Sequence, residues 1–135
     1  MIQLVWDAER LGTATASSGA SASVGELAHF TPDDLLAMAI ATCVMRTFLR
    51  LAADAKAAIL GYAATASADA SCEPDGEPHV IVHSYVVAPS SSDARALAEL
   101  AAQSARTSPI ARVMGKRVTV TAEVRLLTGA EAAVR

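Results

Sequence analysis

The residue whose chemistry stands apart from its surroundings is Cys43, a thiol in the middle of an uncharged stretch, with Arg46 and then Arg50 further along the chain. A thiol attacks electrophilic oxygen or sulfur only as the thiolate, and a nearby cation favours that form. On a helix, positions i+3 and i+7 fall near the same face as the thiol, so both arginines are candidates to accompany it. Free cysteine is also among the most buried residue types, which makes inert packing the competing reading of Cys43. Cys72, beside a Glu-Pro-Asp-Gly turn, reads as an exposed bystander. Two cysteines make no disulfide framework, and there is no CxxC or Cys/His spacing of the kind that holds zinc. With His29, His79 and His83 scattered, no metal and no other cofactor is expected; on a strand His79 and His83 would share one face and pair with surface neighbours.

Cys43 must be positioned by the stretch 31–55, which reads as one long helix. Thr31 is the predicted N-cap, Pro32 suits the first helical position, and Asp34 stands where a capping box would place its acid. Phe30 and Leu35 are spaced for a hydrophobic staple. From Leu35 to Met45 no residue is charged, so the helix is apolar all round and needs cover on every side. Cys43 lies about 16 Å along the axis beyond Pro32 at the standard rise. The helix dipole fades within the first turn, so any activation of the thiol has to come from a cation.

The flanking segments are strands and shorter helices. Residues 2–6 and 13–17 form an expected hairpin, and 20–29, small and polar, a loop with at most a short edge strand. The stretches 59–71 and 79–88, the second alternating and rich in β-branched residues, form a second hairpin around a Pro-Asp-Gly turn at 72–78. Residues 90–106 read as a helix capped by Ser92 or an earlier serine, with Leu97, Leu100, Ala101 and Ser104 as its buried stripe. Ser108 is expected to cap a short helix opened by Pro109 and ended by Gly115, and 117–127 alternates as a last strand. The tail, 128–135, is expected to be frayed or loosely helical. The order β-β-α-β-β-α-β is an α+β layout. One sheet face does not cover a helix that is apolar all round, and the most economical second cover is another copy of the chain.

At 135 residues a single domain over 1–135 is the simplest organisation, with a real core but a size at which a partner subunit helps. Hydrophobic residues make up 53% and charged residues 19%, which excludes a disordered chain. A net charge of -3 without any Lys/Arg cluster argues against a nucleic-acid binder. No signal peptide is read at the start, and Arg46 interrupts the longest apolar run before it could span a bilayer. The expectation is a soluble cytoplasmic protein with no membrane partner.

The run Pro32-Asp33-Asp34-Leu35-Leu36, followed by Ala41-Thr42-Cys43, resembles the P-E-x-L-x-x-A-x-x-x-C signature of the OsmC/Ohr family of thiol peroxidases. Ser108-Pro109-Ile110 falls where that family has a Cys-Pro-Val motif, and Trp6 with Gly12-Thr13 is similar to its N-terminal hairpin. The resemblance implies an OsmC-like fold with a long buried central helix, in an intertwined homodimer. It also implies reduction of hydroperoxides, with the first cysteine attacking the O–O bond, an arginine and a glutamate assisting, and a second cysteine resolving the product. Cys43 matches the attacking position, Asp33 the glutamate, as a shorter carboxylate, and Arg10 is the best match to the arginine. An arginine held against Asp33 would be oriented toward the sulfur. Ser108 replaces the resolving cysteine, so an external thiol would have to act in its stead.

Three functions follow as expectations. One is a one-cysteine peroxidase acting on organic hydroperoxides. The second is a non-catalytic dimer binding a small apolar ligand, and the third a redox-sensing thiol that forms mixed disulfides.

Overall fold

The helix around Cys43 begins where its capping residues place it. Thr31 Oγ1 accepts the Asp34 backbone N–H at 3.2 Å, and the Asp34 carboxylate accepts the Thr31 N–H at 2.9 Å. Both halves of the capping box are therefore made, with aspartate doing the work of the usual glutamate. The other end closes in a Schellman turn. Lys56 takes a φ of 56°, and the N–H groups of Lys56 and Ala57 donate to the carbonyls of Ala53 and Ala52.

The computed structural model describes residues 1–8, 11–25, 30–69 and 76–128, and of residues 6–8 the backbone alone. In order, the elements are β1 (Ile2–Ala8), β2 (Leu11–Ala16), β3 (Ser21–Gly25), α1 (Pro32–Asp54), β4 (Gly61–Asp69), β5 (His79–Pro89), α2 (Ala94–Thr107), α3 (Pro109–Met114), a 3-10 turn (Gly115–Arg117) and β6 (Val118–Leu127). This is the expected α+β order with β3 added as an edge strand. No β-branched run announces β3; its antiparallel pairing to β2, Leu11 opposite Gly25 through Thr15 opposite Ser21, makes it a strand. Gly12 is needed in that sheet because a Cβ there would meet the Val5 carbonyl oxygen at 2.9 Å.

The strands form two separate sheets, β1-β2-β3 and β4-β5-β6. In the second, β4 and β5 are antiparallel, as a hairpin must be, while β5 and β6 run parallel. A parallel pair needs a crossover, and α2 and α3 supply it. The alternation of β5 sends Val80, Val82, Ser84, Val86 and Ala88 inward. On α1 the buried residues are Ala37, Ile40, Val44, Thr47, Phe48 and Ala52, which recur along one face at helical spacing. Ile40 and Val44 pack with Val80, Val82 and Ala111, while Phe48 packs with Val86, Ala88, Leu97 and Ala101. By length and composition α1 could cross a membrane, yet this packed face makes it a core helix.

Among the described residues, cover of α1 is concentrated on that face. Met38 and Leu49, on other faces of α1, are 45% and 38% exposed. The N-terminal sheet packs largely on itself, leaving Ile2 and Leu4 open beside a groove also lined by Leu11, Val24 and Leu35.

Two capping expectations are corrected. The α2 cap is Asp93, not a serine, and its carboxylate accepts the N–H groups of Arg95 and Ala96. Ser108 holds the N-cap position of α3, but its hydroxyl makes no bond to that turn. The side chain is fully buried instead, and its Oγ has no hydrogen-bond partner among the described residues.

Candidate functional site

Along α1, the positions Leu35, Met38, Ala39, Thr42, Cys43, Arg46, Thr47 and Arg50 repeat at intervals of three and four and so share one stripe. Pro109 and Ile110, at the start of α3, form a second wall against them. Between the two lies an open cavity of about 560 Å³. Its character changes along its length. Leu35, Met38 and Ala39 make an apolar end, Cys43 stands midway, and the two arginines make a cationic end.

Cys43 is half-buried and unbridged. Its backbone carbonyl accepts a hydrogen bond from Thr47 Oγ1 at 2.9 Å, one turn on. That back-bond satisfies the Thr47 hydroxyl within the helix. Arg46 and Arg50 are exposed, and neither has an ion-pair partner among the described residues. Asp54, one turn beyond Arg50, is not paired with it.

The other predicted residues lie elsewhere. Asp33 is exposed in the first turn of α1 and does not line this cavity. Arg10, like Cys72 and His29, falls outside the described residues. Asp34 lines a different cavity, on the β4 side of α1, and its carboxyl is held below the usual aspartate value by the backbone and side-chain hydrogen bonds from Thr31. The sheet histidines pair as expected: His79 Nε2 meets Thr119 Oγ1 at 3.2 Å, and His83 bonds Thr121 and lies 3.7 Å from Glu123. Among the described residues no three metal-ligating side chains converge. The α3 wall was not foreseeable from spacing, because Pro109 and Ile110 reach Cys43 only through the fold.

The arrangement suits a nucleophile meeting a substrate that is part apolar and part anionic. The sequence matches the family model described as OsmC-like protein over residues 24–123. No curated protein matches the sequence. An OsmC-like protein of unknown function from Vibrio cholerae is structurally similar at 16% identity, with a TM-score of 0.77 over 93% of this chain and 97% of that one. An organic hydroperoxide resistance protein from Elizabethkingia anophelis is similar at 15% identity and a TM-score of 0.72, over 94% and 96% of the two chains. The organic hydroperoxide resistance protein OhrB of Bacillus subtilis follows at 18% identity and 0.66, over 93% and 98%. At these identities the likeness to the solved structures is one of fold.

Proposed function

The chain belongs to the OsmC-like protein family, and on that premise we propose that it is a one-cysteine thiol peroxidase for organic hydroperoxides. The observation that carries the proposal is the position of Cys43, midway along a cavity with apolar walls and Arg46 one turn away. The Cys43 thiolate attacks the terminal oxygen of the hydroperoxide. The S–O bond forms as the O–O bond breaks, and the alkoxide leaves to take up a proton as the alcohol. Cys43 is then a sulfenic acid, two electrons more oxidised. An external thiol condenses with it, releasing water and giving a mixed disulfide, and a second thiol frees Cys43 while leaving as an external disulfide. Ser108 has no thiol to take that role itself.

Arg46 stabilises the thiolate and the developing alkoxide from the same face. The resemblance adds Arg10 as a further member of the site, while Asp33, its match to the family's glutamate, lies outside the cavity. The active form in this reading is a soluble, cytoplasmic homodimer. Leu49, exposed on α1 outside the cavity, and the open apolar face of the N-terminal sheet support a second copy as their cover.

Ser108 also favours a second reading, a family member that holds an apolar ligand in this cavity without turnover. Cumene hydroperoxide with a small dithiol separates the two. The proposal expects steady turnover that Cys43→Ser reduces to background and Cys72→Ser leaves in place. Equal rates for the parent and Cys43→Ser would end it. A stable Cys43 adduct with glutathione and no turnover would point to a sensor.

A further inference from the structure

We infer that α3 and the turn after it dock reversibly on an anionic lipid surface, with Ile110 and Val113 entering the headgroup layer and Arg106, Arg112 and Lys116 meeting the phosphates. The inference goes beyond the peroxidase reading and does not depend on it.

After the terminal Met1, Val113 is the most exposed large hydrophobic side chain among the described residues, at 82%, and Ile110 is open at 43%. The core does not use them. Ala111 is buried with Ile40, Val44, Val80 and Val82, and Met114 packs on the same cluster. Those two, three residues apart, hold α3 to the body of the protein. Ile110 and Val113 are also three apart, each one residue earlier, so helix geometry turns them together onto a neighbouring, open face.

The charge around this tip is of one sign. From Leu100 to Ala122 the sequence holds Arg106, Arg112, Lys116 and Arg117 and no acid, in a chain whose net charge is -3. Only Lys116 and Arg117 are adjacent, so no basic run marks the segment; the cations gather because they flank one short helix. Arg117 is committed, to Glu77 at 3.4 Å and to the Met114 carbonyl, and so fixes the turn. Arg106, Arg112 and Lys116 are exposed, and no acid among the described residues pairs with them. Arg46 and Arg50 of α1, on the cavity that Ile110 also lines, add to the same positive potential.

A lipid surface fits this tip better than a protein does. Six helical residues span about 9 Å, whereas a stable protein interface takes roughly 800 Å² from each side. A bilayer requires neither that area nor a matching shape. Branched apolar side chains enter the headgroup boundary, while arginine and lysine lay their methylenes on it and keep their charges at the phosphates. The contact is peripheral: α1 stays packed in the core, and no spanning segment is needed.

Cosedimentation with vesicles tests it, comparing phosphatidylcholine alone with equal parts phosphatidylcholine and phosphatidylglycerol. The parent protein is expected to bind the anionic vesicles at low salt, to leave them as salt is raised, and to ignore the neutral ones. Each basic residue near such a surface is worth about fivefold in binding, so Arg112→Gln combined with Lys116→Gln should weaken it by roughly 25-fold. Val113→Ser removes apolar contact and no charge, and should weaken it by about fivefold. All three side chains are exposed, so their replacement leaves the thermal midpoint where it was. Absence of binding to anionic vesicles, or binding that survives Arg112→Gln with Lys116→Gln, would overturn the inference. So would a Val113→Ser protein that binds as the parent does, since a patch that works by charge alone fits an acidic protein better than a bilayer.

Discussion

Ser104 and Ser108 are both almost completely buried and stand one turn apart, yet they are expected to respond to alanine with opposite signs. Ser104 Oγ donates to the Ala101 carbonyl at 2.6 Å. Losing that bond costs about 1 kcal/mol, and the better helix propensity of alanine returns about half of it, for a net loss near 0.5 kcal/mol. Ser108 Oγ has no partner among the described residues, so the protein carries the desolvation cost of a buried hydroxyl, about 1–3 kcal/mol. Ser108→Ala removes that cost. The void left by one oxygen takes back only about 0.3 kcal/mol at the usual cavity rate, and no capping bond is lost because none is made. A net gain of about 1 kcal/mol is expected. In urea, with a slope of about 2 kcal/mol/M, the midpoint of Ser108→Ala should rise by about 0.5 M and that of Ser104→Ala fall by about 0.25 M. Both are read at one protein concentration, since assembly would shift the apparent stability. A Ser108→Ala midpoint lowered as far as that of Ser104→Ala would show the hydroxyl to be satisfied and the reasoning wrong. The same logic says what suits position 108. A thiol is a weak donor that behaves as a small apolar group, so it would fit this unpartnered place better than the hydroxyl does.

Lys56→Gly should stabilise by about 1 kcal/mol, because position 56 is left-handed in the Schellman turn and glycine takes that φ without steric penalty; a lowered thermal midpoint would contradict the turn. The Tyr62 hydroxyl bonds Ser84 at 2.7 Å, and burial raises its pKa above the ordinary 10.0, against a smaller opposing effect of that bond. Because folding favours the neutral phenol, the stability this contributes is whole below the unfolded value and is lost as pH rises through the folded one. In Tyr85→Phe protein Tyr62 is the remaining tyrosine, so its ultraviolet titration should lie above that of free tyrosine, and an ordinary midpoint would refute the burial.

The sequence carried most of what is local. Thr31, Pro32 and Asp34 announce the start of α1 because a capping box is made within four residues, and the alternation of Val80, Val82, Val86 and Ala88 announces the inward face of β5. It carried less wherever a partner element decides. The strand at Ser21–Gly25 is made by its register with β2, and the orphaned hydroxyl of Ser108 by packing that no local pattern encodes. The α1 capping box and the α2 cap show the same physics with different legibility: several nearby oxygens compete at 90–93, and only the fold selects Asp93. At the site, the stripe from Leu35 to Arg50 follows from helical spacing, whereas the wall of Pro109 and Ile110 needs α3 to be docked.

The parallel pairing of β5 with β6 bears on how the chain folds. Each partner lies 38 residues from the other, as His83 does from Thr121, so the pairing forms only after a long loop has closed. The entropy of that closure is spent before the ladder returns anything, whereas the β4–β5 hairpin and the turns of α1 can form from near neighbours. During synthesis β6 leaves the ribosome after every other described element. Until it arrives, β5 presents a bare edge of eleven residues flanked by unfinished core. A nascent chain stalled or truncated before Val118 would therefore hold a template for strand addition, and its hazard is aggregation more than loss of chemistry.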